Sequence, residues 1–290
     1  MKVKQKISLK RATFLSEQAY LDGNLNYESD FCKPIEKAAG FLRRFIVANK
    51  LEKYKTAKQI AVCDYMFSPW SGNDYKAFEY DFTNEYPDND WHYQLVSRTL
   101  KNHKGQCHSL PWTMKLIAEE IGAEMYIARA PQHCFVMYRD ADNLFPEEWV
   151  NVEVTSHQFQ PTSWIKKNSE IKDSAIIVGT YLTPLSDKQA LACILENLAL
   201  SYVSKYKVYN AFTLKCASTS LAHYESNPTA IIVKAKSLIS MLNQRSKYDI
   251  CSSDCHVDIY SQIKQCEAKL NATYWTEITD ELEKRLSKKQ

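Results

Sequence analysis

Lys104-Gly105-Gln106-Cys107-His108-Ser109-Leu110-Pro111-Trp112 is the stretch from which the fold can be read. Gly105 interrupts whatever precedes it, and Cys107 follows two residues later. Leu110, Met114, Ile117, Ala118 and Ile121 then recur at helical spacing until Gly122 ends the run. Cys107 is therefore expected at the mouth of a buried helix. Unsatisfied N–H groups and the helix dipole favour a thiolate at such a place. A cysteine there is a candidate nucleophile, although a single cysteine at a helix start is more often an inert packing residue.

Downstream of Gly122 the pattern changes to that of strands, expected over 124–129, 132–138 and 149–155 with a polar connection between 139 and 148. Cys134, Val136 and Tyr138 share one face, and Val150, Val152 and Val154 match it as a core face. The opposite faces carry His133, Phe135 and Met137, then Trp149, Asn151 and Glu153. A hairpin symmetric about residue 143 sets His133 directly across from Glu153, within hydrogen-bonding reach.

Upstream, helices are expected over 7–21, from Pro34 onward, over 56–67 and over 91–101. Residues 68–90 read as a loop zone with Trp70, Tyr75, Phe78, Tyr80 and Phe82, a candidate wall for a cleft next to the cysteine helix. Residues 156–186 read as a connector. Beyond it come helices over 187–204, 210–225, 229–243 and about 255–286, with Asn227-Pro228 as a break. The expected division is 1–182, a core with N-terminal helices, and 183–290, a helical region. The fold class is α+β, a cysteine helix packed on a small antiparallel sheet.

The totals remove several function classes. A chain of 290 residues with 45% hydrophobic and 24% charged residues buries a real core rather than staying disordered. With 37 basic and 34 acidic residues there is no case for nucleic acid, and the lysine-rich tail from Lys284 to Lys289 reads as a solvated helix end. Nine scattered cysteines read mostly as small buried hydrophobes in a reducing compartment. No window approaches a membrane span, and Met1 to Arg11 lacks the apolar core of a signal peptide, so the expected location is cytoplasmic with no membrane partner.

Cysteine-dependent acyl chemistry needs a thiolate, a histidine to share its proton and an acceptor to orient that histidine. Cys107, His133 and Glu153 supply these in chain order. The carboxylate would hold the imidazole in one tautomer and favour the imidazolium, which favours a neighbouring thiolate. An oxyanion needs at least two donors. The Cys107 backbone N–H is one candidate, and the Gln106 or Trp70 side chain is another. His108 reads as a second base, a polar wall of the cleft or a surface residue.

Gly105-Gln106-Cys107 before a helix, Ala130-Pro131-Gln132-His133 opening a strand, and Trp149-Val150-Asn151-Val152-Glu153-Val154-Thr155 together resemble the transglutaminase-like superfamily of papain-type folds. The closest likeness is to the bacterial proteins that join such a core to tetratricopeptide helices, the SirB1-like group. The resemblance covers roughly residues 85–165. It implies a nucleophilic Cys107, a catalytic His133 and an orienting Glu153, in proteins that act as transglutaminases, proteases or peptide amidases. Glu153-Val154-Thr155 departs from the family's usual aspartate in an Asp-Pro-Thr-like turn, and His108 stands where the family often has an aromatic residue. Leu195, Leu198, Ala199, Tyr202, Cys216 and Pro228 fit one tetratricopeptide-like repeat with an insertion near Lys205 to Asn210, which a helical cap would fit equally.

The expected substrate is thus an amide in a peptide or protein, with no cofactor and no metal. The competing expectation is a non-catalytic scaffold that binds a protein partner through its cleft and its tetratricopeptide-like helices. Cys251-x3-Cys255-His256 offers zinc-type donors without an evident fourth. Lys101, His103 and Lys104 read as loop charges, and the chain has no phosphate loop, dinucleotide fingerprint or Gly-x-Ser-x-Gly elbow.

Overall fold

A computed structural model of the chain describes residues 7–83, 90–248 and 253–273. It mixes helices with small sheets and divides into two compact units, Met1–Ile171 with Tyr181–Asp187, and Lys172–Thr180 with Lys188–Gln290. The segment 172–180, ahead of the boundary read at 183, thus belongs with the second unit.

The first unit begins with α1 (Leu9–Tyr20), α2 (Lys33–Ala48) and α3 (Ala57–Phe67). Helix α1 starts where Ser8 Oγ accepts the Arg11 N–H, and the left-handed pair Asp22 and Gly23 follows its end. The zone read as loop contains a two-residue strand, β1 (Glu79–Tyr80). The helix read over 91–101 is a 3₁₀ turn, Trp91–Gln94, followed by α4 (Val96–Asn102). Two unsatisfied N–H groups at the start of α4 are covered from far away in sequence. The Glu17 carboxylate accepts from Val96 at 2.6 Å and Ser97 at 3.0 Å. Burial pushes the Glu17 carboxyl up to about 7, against the pull of those bonds.

Strand β2 (Lys104–Gly105) pairs in parallel with β1, Glu79 with Lys104 and Tyr80 with Gly105, and leads into α5 (Ser109–Glu120). Helix α5 is the centre of this unit. It packs against α2, α3 and α4 and against two strands of the sheet. Leu110, Trp112, Met114, Leu116, Ile117 and Ala118 are all buried, so it is apolar around most of its circumference. Each of the larger ones contributes about 1.5–3 kcal/mol on burial. Its buried hydroxyls are satisfied locally, with Thr113 Oγ1 donating to the Ser109 carbonyl at 2.7 Å. Gly122, with φ of 67°, ends it, as the apolar pattern requires.

The main sheet is an antiparallel meander of β3 (Tyr126–Ala130), β4 (His133–Arg139), β5 (Trp149–Glu153) and β6 (Gln158–Gln160). Its outer strand β3 is covered by the returning chain, where the Leu182 and Leu185 N–H groups bond the carbonyls of Arg129 and Ile127. Two expectations change here. Val136 pairs with Val152, so the hairpin is displaced by two residues from the symmetric one, and Phe135 rather than His133 continues the register opposite Glu153. A displacement of two keeps His133 and Glu153 on one face, whereas a displacement of one would have separated them. The face read as the outer one is also buried, with Phe135 and Met137 inside, because that side too is covered by packed structure. The connector read over 156–186 contains β6, α6 (Thr162–Asn168) and α7 (Asp173–Ile177).

The second unit is built of helices: α7, most of α8 (Asp187–Tyr206), then α9 (Ala211–Leu221), α10 (Pro228–Tyr248) and α11 (Ser253–Thr273). Asn210 caps α9 by accepting from the Phe212 N–H at 2.9 Å. Asn227, placed before Pro228, accepts the Ala230 N–H at 3.2 Å, which explains the break read there. Ala199, Cys216, Ala217 and Val233 form one small core, and Ile231, Leu238, Ile263 and Leu270 belong to another. The helix read to 286 is described to Thr273, and its continuation and the Lys284–Lys289 tail lie outside the described residues. Among the described residues no helix is long and apolar enough to cross a membrane.

Candidate active site

Gly105 is needed because the chain passes tightly over α4 and α5. A Cβ at this position would lie 2.5 Å from Ser109 Oγ and 2.6 Å from Thr99 Oγ1. The Gln106 N–H then donates to Ser109 Oγ at 3.0 Å, which holds the turn carrying Cys107 against the first residue of α5. Cys107 itself sits two residues before the helix begins and is half-buried. It is thus presented at the helix mouth but not within the helix.

His133 opens β4 and is brought close enough to Cys107 for the two side chains to interact. On its other side His133 Nε2 lies 2.6 Å from Glu153 Oε2. With Nε2 occupied by the carboxylate, Nδ1 is the ring nitrogen left for a second partner. The side chains are 29% and 13% exposed for His133 and Glu153, so the pair is shielded but reachable. Burial alone would disfavour the imidazolium. The Cys107 and Glu153 contacts outweigh it and raise the His133 pKa to about 10. Burial likewise penalises the Glu153 charge, but His133 and Thr155 hold that carboxyl below its usual range. The imidazole is therefore a cation with two N–H donors at neutral pH.

The second Glu153 oxygen is also fixed. Thr155 donates to Oε1 through its hydroxyl at 2.7 Å and its backbone N–H at 3.2 Å. One oxygen faces His133, and the other is tied to the chain two residues on. This clamp was not assigned from sequence. Its signal was present, since residues two apart on a strand share a face.

The other residues read as oxyanion or cleft candidates have the following surroundings. Gln106 is buried, and its amide oxygen accepts from the Gln94 side chain. Trp70 packs on Phe41 and Phe45 of α2, and its indole N–H is buried without a partner. His108 is half-buried between Trp91 and Trp112, with Nδ1 3.3 Å from the Gln94 carbonyl. Burial pushes the His108 imidazole down to about 4, so it stays neutral. It is therefore not the exposed surface residue that was one of the readings. Gln94, which ties Gln106 and His108 together, carried no sequence signal.

Among the described residues no group of three or more histidine, cysteine or acidic side chains is placed to hold a metal ion. Cys251 and the side chains of Cys255 and His256 lie outside the described residues. The arrangement at Cys107 has the parts of a thiol nucleophile paired with a clamped imidazolium. No family model, curated protein or solved structure matches this chain.

Proposed function

We propose that the protein is a cysteine-dependent hydrolase or acyltransferase acting on an amide of a peptide or protein, with a transglutaminase-like core of papain type. The His133–Glu153 pair, at 2.6 Å and next to Cys107 at the mouth of α5, carries this reading. The Cys107 sulfur attacks the amide carbon, and the protonated His133 gives its proton to the departing nitrogen. The C–N bond breaks, an amine leaves and a thioester remains on Cys107. Water or a second amine then attacks the thioester carbon and gives its proton to His133. The C–S bond breaks, releasing an acid or a new amide and restoring the starting charges. Glu153 keeps the ring turned toward sulfur throughout.

The test is labelling at pH 7 by a low stoichiometry of iodoacetamide, read by intact mass and peptide mapping. Cys107 is expected to react first, and Cys107→Ala to abolish that labelling. Reaction at another cysteine while Cys107 stays silent would sink the proposal.

A further inference from the structure

The strand pair that leads into Cys107 and the turn that follows Glu153 border an open groove with a volume of about 390 Å³. Its lining includes the aromatics Tyr80 and Phe82, the acids Glu79 and Asp81, and Lys104 and His157, with Thr83, Thr155 and Ser156 between them. Cys107, His133 and Glu153 do not line it, but two of its residues adjoin the candidate site. Lys104 stands three residues before Cys107. Thr155 is the residue whose hydroxyl clamps Glu153.

The walls select a chemistry. Phe82 is 73% exposed, with its ring edge-on to Tyr80 at 4.8 Å. An aromatic ring left in water at the edge of a groove gains most by being covered with another apolar surface. Of the two acids that line it, Asp81 is already committed. Asp81 is buried and ion-paired with Arg98 at 2.7 Å. Lys104 stands in register with Glu79, so the rim carries both signs of charge and favours neither. The far wall is rigid, because His157 bonds the Phe78 carbonyl and stacks on Phe67 at 4.7 Å. The volume is near the lower end for ligand pockets, roughly 300–1,000 Å³, which suits one side chain rather than a folded partner.

We infer that this groove is the specificity pocket of the Cys107 site and takes an uncharged aromatic side chain of the peptide whose amide is presented to Cys107. The inference rests on the reading of Cys107 as nucleophile, and its test is arranged so that either can fail alone. The full-length Cys107→Ala chain is titrated with acetyl-Gly-Phe-Gly-amide and acetyl-Gly-Ala-Gly-amide, and binding is read by ligand-observed NMR. The phenylalanine peptide is expected to bind about tenfold tighter or more, the scale set by burying one aromatic side chain. Phe82→Ala, and separately Ser156→Trp to fill the groove, should each erase the preference. Both positions are exposed, so the fold tolerates the changes. Equal binding of the two peptides, or a preference that survives both substitutions, overturns the pocket. Iodoacetamide labelling of Cys107 without any preference for phenylalanine leaves the nucleophile standing and removes the pocket. A preference without labelling does the reverse.

Discussion

Replacing Thr155 by valine removes one hydroxyl and keeps the side-chain shape, so it isolates the clamp on Glu153. Two donors reach Oε1, the hydroxyl at 2.7 Å and the N–H at 3.2 Å, and the variant keeps only the longer one. A hydrogen bond to a charged group contributes about 1.5–3 kcal/mol. The Glu153 side chain is 13% exposed, so water refills part of the lost bond, and the lower end of that range applies. About 1.5 kcal/mol corresponds to roughly tenfold in a rate. The second-order rate of iodoacetamide alkylation at Cys107, measured at pH 7 by intact mass, is therefore expected to fall about tenfold. Iodoacetamide is too small to report on the adjoining pocket. Thr155→Ser, which keeps the hydroxyl, should restore most of the rate, and the circular dichroism melt should stay close to that of the parent. A valine variant that alkylates within twofold of the parent, or a serine variant that fails to rescue, refutes the claim that this clamp orients the histidine.

Glu17 supplies a pH test of the frame rather than of the site. Its folded pKa, raised from 4.5 to about 7, means that the folded state holds the proton more tightly than the unfolded chain. Its contribution is full below pH 4.5, declines as the pH rises toward 7 and is then constant, a change of about 3 kcal/mol. Urea unfolding of the parent and Glu17→Gln at pH 4.5 and pH 8 should show the parent favoured by that much more at the acid pH, and a pH-independent difference refutes it. Gly105→Ala forces a methyl group toward Ser109 and Thr99 and should destabilise by about 1–3 kcal/mol, seen as a lower melting temperature; an unchanged melt means the turn has slack.

The sheet shows where sequence reading reaches its limit. Alternation placed His133 and Glu153 on one face, and the structure brings them together. Their register was misjudged by two residues, because the connecting turn is shaped by tertiary contacts. Asp142 accepts from the backbone of Lys55 and Thr56, and Asp140 accepts from the Phe145 N–H. None of these partners is visible in a local pattern. Helices α1, α3 and α5 were legible because each carries its own caps or its own apolar spacing. Strand β1 was not, since two residues offer no periodicity and its pairing partner lies 25 positions away. Gln94 was hidden for the same reason: its meaning depends on a buried neighbour, Gln106, that only the folded chain supplies.

The residues from Gly105 to Thr155 that make the site are one unbroken run, helix, hairpin and strand following each other without a detour. Closing loops of this length costs little more entropy than closing shorter ones, and contacts between near neighbours form early in folding. Cys107, His133 and Glu153 all lie within one short run of the chain. The frame around them is tied over longer distances, with Glu17 capping α4 from almost eighty positions away and Asp142 holding Lys55 and Thr56. Cuts or insertions in the frame would separate elements remote in sequence, whereas the site residues would stay on one segment.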